Sequence, residues 1–113
     1  KPLIGEDYAK CKKIIQLARK YNILVICDDV YNLLYYSSDK NPPKRLVSYD
    51  NKEDQDYDGG HVISNGSFSK ILAPGCRIGW IESSEVIIQK IISNTTCLLK
   101  EGELFFTFSI EFS

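Results

Sequence analysis

An α/β fold is predicted by three features of this 113-residue sequence. A helix-period stretch from Glu6 to Tyr21 runs directly into the apolar, β-branched run Ile23-Leu24-Val25-Ile26-Cys27. That run ends abruptly in a polar cluster, Asp28-Asp29-Val30-Tyr31. Two further strand candidates then lead to a second helix-period stretch through Ile87, Ile88, Ile91 and Ile92. A helix feeding a buried strand is the repeating unit of mostly parallel sheets flanked by helices.

Each element has its own warrant. In the first helix, Cys11, Ile14, Ile15 and Ala18 recur at helical intervals, with Lys10, Lys12, Lys13, Arg19 and Lys20 mostly on the other side. Glu6 and Asp7 in the first turn and Arg19 and Lys20 in the last complement the helix dipole. The unbroken run 23–27 predicts a strand covered on both faces. Residues 37–60 turn polar, with Asn41-Pro42-Pro43 and then Asp50, Glu53, Asp54, Asp56 and Asp58, which predicts a long, mobile, solvated excursion under which Tyr35 and Tyr36 pack. His61-Val62-Ile63-Ser64 predicts a short strand, Asn65-Gly66-Ser67 a turn, and Cys76 to Ile81 another strand set off by Pro74-Gly75, with Ile78 and Trp80 in its core. Ser83 or Ser84 caps the last helix. From Leu104 to Phe112 apolar and polar residues alternate, a strand pattern without an identifiable partner.

Composition narrows the function. Fourteen Lys plus Arg against 15 Asp plus Glu give a net charge of -1, so no overall field draws in nucleic acid or an anionic membrane. No apolar run reaches the roughly 20 residues of a membrane-spanning helix. Cysteines 11, 27, 76 and 97 form no Cys-x-x-Cys pair, and the single histidine, His61, adds no ligand spacing, so no metal site is expected. Reduced, space-filling thiols without a secretory signal point to the cytoplasm. Asp54-x-Asp56-x-Asp58-Gly59 imitates a calcium loop, but Asn65 stands where the bidentate Glu belongs. An acidic pair after a first strand also suits a phosphorylation-receiver domain, yet the next strand ends in Ser64-Asn65 with no phosphoacceptor Asp.

The densest chemical signal is Ser64-Asn65-Gly66-Ser67-Phe68-Ser69-Lys70-Ile71-Leu72-Ala73-Pro74-Gly75-Cys76-Arg77-Ile78-Gly79-Trp80. A lysine flanked by hydroxyls and followed by an arginine offers a fixed cation, several donors and an amine able to act as a nucleophile, which suits a phosphorylated aldehyde. The nucleotide phosphate loop is not matched, because no glycine stands directly before Lys70 and Ile71 follows it.

Ser67-Phe68-Ser69-Lys70 followed by Pro74-Gly75-Cys76-Arg77-Ile78-Gly79-Trp80 resembles the coenzyme-lysine signature of class I/II aminotransferases, pyridoxal-phosphate enzymes of fold type I. Asp28-Asp29-Val30-Tyr31 is similar to the same family's Asp-x-x-Tyr element. The likeness covers Pro2 to about Ser93 and is nearest the aminoadipate, kynurenine and aromatic amino-acid transaminases. It implies part of the large coenzyme-binding domain over residues 1–99, with 100–113 a divergent tail of the kind that truncation or alternative splicing produces. It implies pyridoxal 5'-phosphate held on Lys70, which also serves as the base for the substrate α-proton. Asp28 would face the pyridine nitrogen, Tyr31 would bond the ring oxygen, and Ser67, Ser69 and Arg77 would bind the phosphate. Asp29 reads as a solvated or capping carboxylate. The implied partners are amino-acid and 2-oxo-acid substrates and, for the full-length parent, a second copy in a homodimer. A second expectation stands beside this one. The upstream glycine turn, the Asn-Pro-x-Gly segment and the substrate-gripping arginine of that family have no counterpart here, so the alternative is a non-catalytic fragment or truncated isoform that keeps the lysine motif.

Overall fold

A computed structural model describes residues 4–36, 43–76 and 78–95. Helix α1 spans Ile4–Tyr21 and strand β1 Val25–Asp28. Strands β2 (Val62–Ser67) and β3 (Gly79–Ser83) follow, and helix α2 covers Glu85–Thr95. Short 3-10 turns occupy Leu46–Tyr49, Phe68–Lys70 and Pro74–Cys76. Among the described residues, no helix is long and apolar enough to cross a membrane.

The α/β class holds, and the sheet is mixed. Its order is β1-β2-β3, with β1 parallel to β2 from Val25↔Val62 to Asp28↔Asn65. Strand β3 returns antiparallel, pairing Ser64 with Glu82 and Gly66 with Trp80. The link through residues 68–78 is too short for the helical crossover that a parallel return requires. Strand β2 also runs on through Asn65-Gly66-Ser67, where the sequence predicts a turn. The reason is Trp80: a Cβ at Gly66 would stand 2.1 Å from its ring, so this glycine admits a close-packed indole.

Helix α1 ends in a Schellman motif. Asn22 takes a left-handed φ of 52°, and the amides of Asn22 and Ile23 donate to the carbonyls of Arg19 and Ala18. The apolar stripe of α1 delivers Ile15, fully buried, to a core shared with Val47 and Val62. Val25 and Cys27, alternate residues of β1, pack against this core. The opposite face of β1 is open: Ile26 is 69% exposed, which corrects the expectation of cover on both sides. Only the α1 side of this strand has a covering layer among the described residues.

Residues 43–60 fold against α1 instead of standing off in solvent. The buried Arg19 guanidinium pairs with Asp50 at 2.9 Å, Asp54 at 3.1 Å and Asp56 at 2.5 Å. Lys12 reaches Asp54 at 3.0 Å and the Tyr49 carbonyl at 3.3 Å. His61 sets its two ring nitrogens against the Ile23 carbonyl and the Asp58 carboxylate. Of the aspartates that imitate a calcium loop, Asp54 and Asp56 are thus occupied by Lys12 and Arg19, and Asp58 by the His61 ring. Tyr36, expected beneath this segment, is 88% exposed.

Ser84 caps α2 as predicted, its Oγ accepting from the Ile87 amide and its carbonyl from the Ile88 amide. Gly60, at φ 93°, lies so close to Ser84 that a Cβ would come within 2.6 Å of that Oγ. The tail at 100–113, with its alternating phenylalanines, lies outside the described residues, as do Cys97 and Arg77.

Candidate functional site

Parallel pairing brings the carboxyl ends of β1 and β2 to one edge of the sheet, the place where open α/β sheets collect ligand groups. Asp28, the last residue of β1, is in register with Asn65. Pleat alternation puts Asp28, Asn65 and Ser67 on one face, opposite the face that packs on α1. Ser67 ends β2 and caps the following turn, its Oγ accepting from the Ser69 amide at 3.1 Å. That turn ends at Lys70.

Past β1 the chain turns back, the Asn32 amide donating to the Asp29 carbonyl and the Leu34 amide to the Tyr31 carbonyl. Tyr31 is thereby presented at the same edge, and the Lys70 ammonium stands 5.8 Å from the centroid of its ring. A lysine over an aromatic face is a cation–π contact, and it joins residues from the two separate motifs. Lys70, Asp28 and Tyr31 are all exposed.

The five described residues singled out in the sequence, Asp28, Tyr31, Ser67, Ser69 and Lys70, thus sit on two adjacent strand ends. Arg77 lies outside the described residues. As a donor set they suit a phosphorylated pyridine aldehyde in kind: a primary amine, a carboxylate, a phenol and a serine-rich turn. None of the five lines the nearby cleft of about 440 Å³, although Asn65 does. Its walls include Asp29, Arg45, Gly66, Phe68, Trp80 and Glu82, the Phe68 and Trp80 rings lying tilted at 5.0 Å.

Asp29, expected as a solvated or capping carboxylate, is instead bonded across to β2. Its carboxylate accepts from the Ser64 hydroxyl at 2.5 Å, and its amide donates to both the Asn65 carbonyl and Asn65 Oδ1. Ser64 Oγ in turn accepts from Arg45, whose guanidinium pairs with Glu82 at 2.5 Å. Cys27, beside this network, has its thiol pushed up by burial first and by the nearby Asp29 charge second. Ser64 and Asn65 stand at the head of the lysine motif, but their pairing with Asp29 depends on strand register, and Arg45 carried no signal in the sequence.

Residues 7–98 match the family model described as aminotransferase class I and II. The chain is 39% identical over 80 residues to aromatic-amino-acid aminotransferase 1 of Thermococcus litoralis, covering 71% of this chain and 17% of that protein. It is 35% identical over 80 residues to an uncharacterized aminotransferase of Saccharolobus solfataricus, covering 71% of this chain and 18% of that protein. An HTH-type transcriptional regulator, NorG, of Staphylococcus aureus is 38% identical over 80 residues, covering 71% of this chain and 16% of the relative. The chain therefore spans less than a fifth of the length of these three relatives. No solved structure gives a significant match.

Proposed function

From the premise that this chain belongs to the class I and II aminotransferases, we propose that it forms the lysine-bearing part of a pyridoxal-phosphate site in an enzyme that moves an α-amino group from an amino acid to a 2-oxo acid. The observation that carries the reading is the meeting of Lys70 with Tyr31 at the edge where Asp28 ends its strand. When bound, the coenzyme supplies an aldehyde that condenses with amines and a ring that accepts the electrons left by a departing α-proton.

The chain's own residues have divided tasks. Lys70 Nζ is the amine that holds the coenzyme and the base that carries the α-proton. Asp28 keeps the ring nitrogen protonated, and Tyr31 donates to the ring oxygen. Ser67, Ser69 and Arg77 bind phosphate, Arg77 through charge-assisted bonds with a fork geometry that lysine lacks. The substrate pair is of the aminoadipate, kynurenine or aromatic type, a choice supported by the 39% identity to an aromatic-amino-acid aminotransferase. The parent enzyme works as a homodimer in the cytoplasm, a reducing setting in keeping with the free thiols of Cys27 and Cys76.

Borohydride reduction after adding pyridoxal phosphate tests the site. The coenzyme should be trapped on Lys70, and the K70R variant should lose that label. Labelling spread evenly over surface lysines overturns the reading. A second reading, coenzyme binding without catalysis, is favoured by the similarity to a protein named as a transcriptional regulator. Adding amino acids to the loaded chain separates the two, since only the first converts the coenzyme to its amine form.

A further inference from the structure

The doublet Asp28-Asp29 sends its two carboxylates to opposite faces of the sheet. Asp28 closes the strand at an exposed position, where a ladder ordinarily frays. Asp29 is bound at every polar group it has. Its amide is shared between the Asn65 carbonyl at 3.2 Å and Asn65 Oδ1 at 3.1 Å. Its carboxylate takes the hydroxyl of Ser64, a fully buried residue of β2. Its carbonyl accepts the Asn32 amide at 3.0 Å and so shapes the turn that holds Tyr31. Behind Ser64, Arg45 bridges at 3.2 Å to Ser64 Oγ and at 2.5 Å to Glu82 of β3.

We propose that Asp29, clamped by Ser64 and Asn65, is a positioning residue for the coenzyme, fixing from behind the peptide that carries Asp28 and the turn that carries Tyr31. The inference rests on the pyridoxal-phosphate reading above. A carboxylate aimed at a ring nitrogen sets its protonation only while its distance is held, and partners behind the ligand residues supply that constraint. Asp29 never touches the coenzyme. It extends the β1–β2 pairing one residue beyond the ladder, its amide donating to the Asn65 carbonyl and Oδ1 and its carboxylate accepting from the Ser64 hydroxyl.

The test uses this chain loaded with pyridoxal phosphate, reading coenzyme affinity and the pH midpoint of its visible absorption band. Removing a charged hydrogen-bond partner costs about one power of ten in an equilibrium. Asp29→Ala should therefore weaken binding about tenfold and shift the midpoint. Asp29→Asn keeps an oxygen that accepts from Ser64 and should come within about threefold of the parent. Asn65→Ala leaves the backbone bond in place and should weaken binding by about three- to fivefold, which serves if Asp29→Ala fails to fold. Ile15→Val, a core change on α1, is the control for general destabilisation: it should lower the melting temperature while leaving affinity and midpoint unmoved. The proposal is overturned if folded Asp29→Ala or Asn65→Ala binds and titrates like the parent, or if Ile15→Val shifts both readouts equally. If the unsubstituted chain takes no coenzyme on Lys70, the underlying reading falls and this inference with it. Labelling at Lys70 with unaffected variants sinks the inference alone.

Discussion

The two sides of the sheet contrast in how their polar groups are satisfied. On the α1 side, Arg19, 8% exposed, meets three carboxylates, and His61, 6% exposed, has an acceptor at each ring nitrogen. At the strand ends on the other side, Asp28, Tyr31 and Lys70 face solvent, and among the described residues none makes an ion pair with Asp28 or Lys70. Stability is concentrated where groups have found one another. Groups held ready for a ligand are those whose partners are still to come.

The largest effect should come from breaking the Arg19 clamp. Arg19→Met keeps much of the stem but removes the charge that balances Asp50, whose side chain is 5% exposed. Removing one partner of a buried ion pair costs about 3–5 kcal/mol. The guanidinium is held charged against burial, which alone would lower its pKa, because the hydrogen bonds it donates to Asp50, Asp54 and Asp56 outweigh that penalty and raise it. Its Nε finds no hydrogen-bond partner among the described residues, although the group also lies 5.6 Å from the Tyr57 ring centroid. Urea unfolding followed by circular dichroism should show the midpoint collapse. A variant as stable as the parent would mean that the clamp is ornamental.

A paired substitution sharpens the contrast between the two faces. Ile15→Ala empties a fully buried position and should cost about 2–5 kcal/mol. Ile26→Ala, on the open face of β1 at 69% exposure, should stay within about 0.5 kcal/mol. Equal losses in thermal unfolding would show that some further layer covers Ile26 in solution.

What the sequence disclosed follows the same division. The helices were legible because Ile15 and Ala18 recur at a helical interval, as do Ile87 and Ile88 with Ile91 and Ile92, and Ile15, Ala18, Ile87 and Ile88 are buried in the structure. The lysine motif was legible because its residues are contiguous. The Arg19 clamp was not, since its bonds to Asp50 and Asp56 join residues 31 and 37 positions apart, and a run of aspartates looks solvated until a buried cation is placed beside it. Asn65-Gly66-Ser67 read as a turn because glycine in a strand makes sense only once Trp80 is seen to cross it. Asp29 was undervalued for a related reason, its partners lying on a strand whose register the sequence leaves unstated.

The smallest effect is a dependence on pH that separates the clamp from the open edge. Hydrogen bonding from Lys12, and after it from Arg19, holds the Asp54 carboxyl below its ordinary 3.8, partial burial opposing. A carboxyl depressed in the folded state adds stability above its unfolded value, and that stability is lost as pH falls through the folded one. The parent should therefore lose melting temperature on acidification below about pH 4, the ordinary carboxylate range. Asp54→Asn should start lower at neutral pH and lose less over the same interval, because one of the titrating groups is gone. Lys70→Met, at the open edge, should leave the acid limb of the melting curve where it is. If Asp54→Asn and the parent trace parallel curves down to pH 2, the Lys12–Asp54 contact contributes nothing in solution, and the clamp rests on Asp50 and Asp56 alone.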